Sequence, residues 1–164
     1  MLKFLMANVL VALALSVPSV AVAQVVEGEE HCVVNIKTND VLNVRSKPSV
    51  SGKLLGSFRY AQCGVIVVDA CMGTWCPVED GHIGGWVNSR YIAMVSPALY
   101  CVTGVAPGDR LNLRAWPSAG SKVLTRLGRH QCDIAFLPYA VGSWQKIRVK
   151  GWEGWVNRTY LSGE

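Results

Sequence analysis

Six cysteines and three histidines are the residues of this 164-residue chain best suited to do chemistry. Cys71, Cys76 and His82 could bind zinc, which takes thiolate and imidazole ligands, although a fourth ligand is missing. A cysteine beside a histidine could instead act as a nucleophile. In an exported protein, however, an even number of cysteines indicates a disulfide framework first. The compartment therefore decides between these chemistries.

The acidic residues give little support for catalysis. Glu79 and Asp80 are the only adjacent acidic pair outside the N-terminal segment, and Asp80 precedes Gly81, as a turn aspartate does. Glycoside hydrolysis would require two carboxylates facing one cleft. The sequence also has no Gly-x-Gly-x-x-Gly, phosphate-loop or Gly-x-Ser-x-Gly motif. We therefore expect no catalytic residues, no metal and no cofactor.

Residues 1–23 have the pattern of a secretory signal peptide. Lys3 supplies the positive start, residues 9–15 are apolar, and a small-x-small cleavage site ends at Ala23. The alternative is an uncleaved membrane anchor, but the apolar run is shorter than the roughly 20 residues that cross a bilayer. We expect a mature chain that begins near Gln24, has no membrane span and is periplasmic or secreted.

The mature chain contains an internal repeat without gaps. Residues 32–92 align with residues 101–161 at a constant offset of 69, and 19 of the 61 aligned pairs are identical. These two ranges are the predicted domains. Residues 24–31 are predicted to be an acidic, flexible lead-in. Residues 93–100 are uncharged and contain one proline, so we expect a short linker that holds the two units against each other.

Within each copy, the hydrophobic pattern predicts short strands. Leu42 and Val44 alternate with polar residues, and residues 65–68 form a β-branched run. No stretch of ten residues after the signal peptide has the 3.6-residue period of a helix. Short strands separated by closely spaced turns indicate an all-β barrel or sandwich.

The repeat also reduces the number of possible disulfide pairings. In each copy two cysteines lie 31 residues apart, and the remaining two cysteines have no counterpart in the second copy. The simplest predicted pairing is Cys32–Cys63, Cys101–Cys132 and Cys71–Cys76.

The order of the motifs resembles the bacterial Src-homology-3 (SH3b) domain. Leu-Asn-Val-Arg-Ser-x-Pro-Ser begins the pattern at residues 42–49, and Gly-Trp-Val-Asn followed by Tyr-Ile closes it at residues 85–92. The likeness covers residues 32–161, although Trp116 stands where the family usually has a small or polar residue. The resemblance implies two small five-stranded SH3-like barrels in tandem, here stapled by disulfides. It also implies a non-catalytic targeting module, since many such domains bind peptidoglycan or its stem peptides.

Basic and aromatic residues favour the second copy as the binding half. It has nine basic and three acidic residues, whereas the first copy has six and four. Its extra aromatic residues have no aromatic counterpart in the first copy, and stacking beside cations suits a sugar or a peptide. Alternatively, these side chains are solvated, cover the barrel ends or pack against the first copy. The predicted ligand-binding residues are Arg114, Trp116, Tyr139, Lys146, Arg148 and Trp152.

We expect the partner to be peptidoglycan or its stem peptide, and the alternative is a periplasmic or host protein contacted by an adaptor or virulence factor. The compartment argues against nucleic acid, although a basic face alone does not distinguish polyanions. Aromatic residues that recur in both copies are predicted to belong mostly to the core and to close the barrels. They are Trp75, Trp86, Trp144, Trp155, Tyr91 and Tyr160.

Overall fold

The computed structural model describes residues 25–162, so the predicted signal peptide at residues 1–23 lies outside the described residues. The first repeat forms one antiparallel sheet of seven strands: β1 (Glu30–Val33), β2 (Val41–Arg45), β3 (Leu54–Arg59), β4 (Val65–Val67), β5 (Trp75–Glu79), β6 (Gly84–Asn88) and β7 (Ile92–Met94). The strand order is β3-β2-β6-β5-β4-β1-β7. A short 3-10 helix, Ser89–Tyr91, joins β6 to β7.

The second repeat forms a separate antiparallel sheet of five strands: β8 (Leu111–Arg114), β9 (Val123–Leu127), β10 (Ala135–Val141), β11 (Trp144–Val149) and β12 (Trp152–Asn157). Its order, β10-β11-β12-β8-β9, repeats the order of β4-β5-β6-β2-β3 in the first sheet. A 3-10 helix, Arg158–Tyr160, follows β12.

Two isolated β-bridges in the second repeat correspond to strand pairings in the first repeat. Tyr100 pairs with Ile134 and Val102 pairs with Leu161, at the positions where β1 contacts β4 and β7 in the first repeat. The prediction of an all-β fold with two small, disulfide-stapled β units is thus confirmed. In the first repeat, β1 and β7 extend the expected five strands to seven.

Each barrel has its own apolar core because the strands alternate inward and outward residues. In the first repeat, Leu42 and Val44 point inward from β2 and pack with Phe58 of β3. In the second repeat, Leu111 and Leu113 take the same places. The alternation of apolar and polar residues predicted from the sequence therefore matches the burial of these side chains.

The three predicted disulfides are confirmed. Cys32–Cys63 joins β1 to the loop after β3, and Cys101–Cys132 joins the start of the second repeat to the loop after β9. Cys71–Cys76 closes the β4–β5 connection. The second repeat has Gln145 where Cys76 stands in the first. The buried Gln145 amide lies 2.7 Å from the carbonyl oxygen of Leu137 and 3.1 Å from that of Tyr139. A hydrogen-bonded amide therefore braces β10 where the first repeat uses a covalent bond.

The lead-in is shorter than expected. Glu30 and His31 belong to β1, and the Gly28 N–H donates to the carbonyl oxygen of Val67 at 2.8 Å. His31 is completely buried. The expectation of a flexible segment through His31 is corrected, because strand pairing on both sides of β1 and burial of the imidazole fix this end of the segment.

The two repeats pack against each other through a third apolar cluster. It consists of buried Cys32, Val95, Ala135 and Leu137, with Cys63 and Tyr139 packed against it.

The predicted linker at 93–100 also contacts the second repeat. The Ser96 N–H donates to the carbonyl oxygen of Phe136 at 3.0 Å, and the Phe136 N–H donates to Ser96 Oγ at 2.7 Å. The start of the linker, Ala93 and Met94, lies in β7. Hydrogen bonds and apolar burial therefore link the repeats directly, in addition to the connecting chain.

Across residues 25–162, no helix has the length and hydropathy needed to span a membrane.

Candidate functional site

The most informative surface feature is a groove that occurs once in each repeat. The groove of the second repeat has a volume of about 440 Å³ and that of the first about 510 Å³. Each has twelve lining residues, and every lining residue of one groove matches a lining residue of the other at the offset of 69. Seven positions have the same residue type in both grooves. In the first repeat they are Asp40, Leu42, Asn43, Arg45, Trp75, Asn88 and Tyr91.

The aromatic wall of each groove is held by the 3-10 helix. In the first repeat, Asn88 Oδ1 caps this helix by accepting the Arg90 N–H at 3.1 Å. The carbonyl oxygen of Tyr91 accepts the Val34 N–H at 2.9 Å. Equivalent bonds fix Asn157 and Tyr160 in the second repeat. The asparagine thus orients the turn that presents the tyrosine to the groove.

An arginine that is hydrogen-bonded to a loop also lines each groove. Arg45 Nη1 donates to the Gly52 carbonyl oxygen at 3.0 Å, and Arg114 Nη1 donates to the Ser121 carbonyl oxygen at 2.7 Å. Each bond ties the guanidinium to the loop after its strand. Since a guanidinium has five N–H donors, further donors remain available to a ligand.

The glycine that begins each Gly-Trp-Val-Asn motif allows this arginine strand to approach. A Cβ at Gly85 would lie 2.7 Å from the Arg45 carbonyl oxygen, and a Cβ at Gly154 would lie 2.7 Å from that of Arg114. Both distances are too short for a side chain. A glycine is therefore required at this position of the motif, because it lets the neighbouring strand backbone approach closely beside the groove.

The recurring aromatic residues do not form the cores. Tyr91 and Tyr160 are 36% and 39% exposed, and Trp75 and Trp144 are half-buried. All four line the grooves. Trp86 and Trp155 are also half-buried, because they alternate with the buried valine of the same strand. The prediction that these six residues belong mostly to the core is corrected: mainly aliphatic residues, with Phe58, fill the two cores, and these six rings are only partly buried.

The grooves differ in where their charges lie. Lys37 and Val41 of the first groove are replaced by Ala106 and Arg110 in the second. Each groove therefore has one aspartate and two cations. The arginine at the shared position is the same in both, but the other cation, Lys37 or Arg110, occupies a different position in each groove. A ligand with one acidic group would meet that cation at different places in the two grooves.

Of the six residues predicted to bind a ligand, one lines the second groove. Arg114 lines it, whereas Trp116 is not among its lining residues. Trp116 is 71% exposed. Trp152 is 49% exposed and pairs with Val149 at the turn end of the β11–β12 hairpin. The groove residue Trp144 lies at the other end of the same hairpin. These three side chains therefore do not share one site.

The other three predicted residues lie at the contact between the repeats. Tyr139 Oη donates to the carbonyl oxygen of Val33 at 2.8 Å, and burial raises the pKa of the Tyr139 hydroxyl. Lys146 Nζ lies 5.2 Å from the centre of the Tyr139 ring and 3.7 Å from a Glu153 oxygen. Tyr60 of the first repeat meets Tyr139 edge to face. Internal partners thus account for the placement of Tyr139 and Lys146.

Arg148 joins the two repeats electrostatically. Its Nη1 and Nη2 donate to the two carboxylate oxygens of Glu30 at 2.7 and 3.0 Å, and its Nε donates to Glu153 at 2.9 Å. The hydrogen bonds from Arg148 lower the pKa of Glu30, and those to Glu30 raise the pKa of Arg148. The expectation of a single six-residue ligand surface is therefore revised to a groove and a separate inter-repeat contact.

His31 has a structural role that the sequence pattern did not indicate. Its Nε2 accepts the Val26 N–H at 3.2 Å, and its Nδ1 lies 2.8 Å from the Glu29 carbonyl oxygen, which requires the proton on Nδ1. Burial lowers the pKa of the imidazole. The available signal was that a ring residue precedes the first cysteine of both repeats, His31 before Cys32 and Tyr100 before Cys101.

The zinc and nucleophile alternatives are not supported by the cysteines, because all six are oxidised. Within residues 25–162, no group of three or more histidine, cysteine, aspartate or glutamate side chains is arranged to hold a metal ion. The exposed His82 follows Asp80, whose Oδ1 accepts the backbone N–H groups of His82 and Ile83. Asp80 is thus a turn residue, as its position before Gly81 predicted.

Residues 40–93 match the family model described as bacterial SH3 domain. A comparison with curated proteins gives no match. Among solved structures, the chain is similar to NlpC2 from Trichomonas vaginalis, with 12% identity, a TM-score of 0.39, and coverage of 83% of this chain and 48% of that one. NlpC1 from the same organism gives 12% identity, a TM-score of 0.39, and coverage of 87% and 49%. The chain thus spans about half the length of both structures.

Proposed function

Because residues 40–93 form a bacterial SH3 domain, we propose that this protein is an exported, non-catalytic binding module that recognises peptidoglycan or another component of the cell envelope. The observation that carries the proposal is the groove that recurs at twelve matching positions. Seven of these positions have the same residue type in both repeats, although fewer than a third of all aligned pairs are identical. Identity between the repeats is thus concentrated at the groove.

The chemistry of the groove suits a ligand with an apolar face and an acidic group. An exposed tyrosine and a half-buried tryptophan offer flat surfaces on which a sugar or an apolar side chain can stack. A guanidinium fixed by one loop carbonyl can bind a carboxylate with its other donors. Peptidoglycan offers both features, in its sugar rings and in the carboxylates of its stem peptides.

The proposed location is the periplasm or the medium. Three disulfides among the described residues are typical of a protein that folds in an oxidising compartment. The signal-peptide pattern at residues 1–23 supports the same conclusion.

Sedimentation with purified, protein-free sacculi tests the proposal. We expect the mature protein to sediment with the sacculi at low salt. Tyr91→Ala and Tyr160→Ala should each weaken retention about tenfold, since loss of an aromatic anchor costs more than about 1 kcal/mol and 1.4 kcal/mol corresponds to a factor of ten. Leu99→Ala is the matched control, because Leu99 is 78% exposed and lines neither groove. A wild-type protein that stays in the supernatant would show that peptidoglycan is not the ligand.

A protein partner is the second candidate, and the exposed tryptophans favour it. Trp116 and Trp152 expose 71% and 49% of their surface, and tryptophan is enriched at protein interfaces. In this case the protein would act as a secreted or periplasmic adaptor, or as a virulence factor that contacts a host protein. Trp116→Ala and Trp152→Ala would then abolish capture of the partner while sacculus retention, if present, remained at the wild-type level.

A further inference from the structure

A basic pocket adjoins the groove of the second repeat. It has a volume of about 380 Å³ and is lined by Gly108, Asp109, Arg110, Asn112 and Arg126. Asp109, Arg110 and Asn112 also line the second groove, so the pocket and the groove are neighbours on the surface. A ligand bound in the groove therefore lies next to the pocket.

The two arginines of this pocket lie close to one strand pair, β8 and β9. Asn112 of β8 lies directly opposite Arg126 of β9, and Arg110 lies two residues before Asn112. Arg110 immediately precedes β8, and it lines the same pocket as Arg126. Arg126 Nε donates to Asn112 Oδ1 at 3.3 Å, which orients its guanidinium.

The lining of the pocket carries a net positive charge. Among residues 25–162, the observed ion pairs do not involve Arg110 or Arg126. Asp109 is the one acidic residue of the lining, and its Oδ1 accepts the backbone N–H of Arg110 at 2.7 Å. Two guanidinium groups and one carboxylate leave a net positive charge at the end of the groove.

The first repeat lacks this arrangement. At the offset of 69, Val41 takes the place of Arg110 and Ser57 takes the place of Arg126, whereas the aspartate and the asparagine are unchanged. Val41 is 42% exposed, so it covers the corresponding surface with a methyl-bearing side chain. The repeats therefore present one shared groove and one added cationic pocket.

We propose that this pocket of the second repeat binds a carboxylate of the peptide part of the ligand, which makes the second groove the stronger site for acidic peptidoglycan. The inference rests on the function proposed above and adds the group that is recognised and the residues that recognise it. Guanidinium groups form charge-assisted, often bidentate, hydrogen bonds with a carboxylate, and two of them line this pocket. The first groove then binds the same polymer without this contact.

The test compares intact sacculi with sacculi whose free carboxylates have been converted to amides. The variant Arg110→Val/Arg126→Ser carries the residues that the first repeat already accommodates, so it should fold. Lys122→Ser/Arg129→Ser is the matched control, because it removes the same charge from exposed positions outside both cavities. Circular dichroism checks that both variants retain the β-sheet spectrum.

We expect wild-type protein to bind intact sacculi about tenfold more tightly than amidated sacculi, and the pocket variant to keep only a smaller preference, contributed by the groove arginines Arg45 and Arg114. The control variant should keep the wild-type preference. Equal binding of wild-type protein to both preparations, or the same preference in the pocket variant, would overturn the pocket while leaving peptidoglycan binding intact. No sedimentation of wild-type protein with either preparation would overturn both proposals.

Discussion

The contact of Arg148 with Glu30 gives the sharpest prediction about stability. One guanidinium bridges Glu30 of the first repeat and Glu153 of the second, and the three side chains are 32%, 29% and 37% exposed. Charged hydrogen bonds in this range of exposure are partly screened, so the Glu30 pair contributes about 1 kcal/mol and the Glu153 pair about 0.5 kcal/mol. With the packing of the arginine stem, Arg148→Ala should lower the free energy of unfolding by about 2 kcal/mol.

Urea unfolding of the disulfide-bonded protein, followed by tryptophan fluorescence, measures this loss. A chain of this size has a urea slope of about 2 kcal/mol per molar, so the midpoint should fall by about 1 M. Arg129→Ala removes an exposed arginine of the same repeat and should change the free energy by less than about 0.5 kcal/mol. An Arg148→Ala midpoint equal to that of this control would refute the assignment of Arg148 to the inter-repeat contact.

The same pair should make stability depend on pH. Because the pKa of Glu30 is lower in the folded protein than in the unfolded chain, its contribution is complete above the ordinary glutamate pKa of about 4.3. The contribution is lost as the pH falls through the lower, folded-state pKa. The difference in unfolding free energy between wild type and Glu30→Gln should therefore be about 1 kcal/mol at pH 7 and decline in acid. A difference that stays constant between pH 7 and pH 3 would contradict the reasoning.

Two further predictions concern the braces of the hairpins. Gln145→Leu removes the amide that contacts the carbonyl oxygens of Leu137 and Tyr139. Because these buried acceptors are left unsatisfied, the free energy of unfolding measured in urea should fall by about 2–3 kcal/mol. A loss below about 0.5 kcal/mol would contradict the bracing role. Cys71→Ser/Cys76→Ser should cost about 2 kcal/mol, whereas loss of a disulfide that closes 31 residues should cost about 3.7 kcal/mol, from the dependence of loop entropy on length. Urea midpoints in the opposite order would count against the loop-entropy account.

Local patterns in the sequence determined the fold to a large extent. Alternation at Leu42 and Val44 is a property of a single strand, and it indicated which side chains the barrel would bury. The offset of 69 indicated the disulfide pairing, because equivalent positions in two copies of one fold have equivalent neighbours. These inferences needed only short segments and their repetition.

The tertiary structure decided which side chains could form a site. Each groove combines residues from segments about 50 positions apart, so neither its shape nor the exposure of Tyr91 and Tyr160 follows from strand periodicity. Packing of one repeat on the other assigned Tyr139 and Arg148 to internal contacts, since their partners Val33 and Glu30 lie more than 100 residues away. The sequence therefore determined the two barrels and their covalent links. Only the folded chain separated the cations and rings that join the repeats from those available to a ligand, because that distinction depends on which distant residues come into contact.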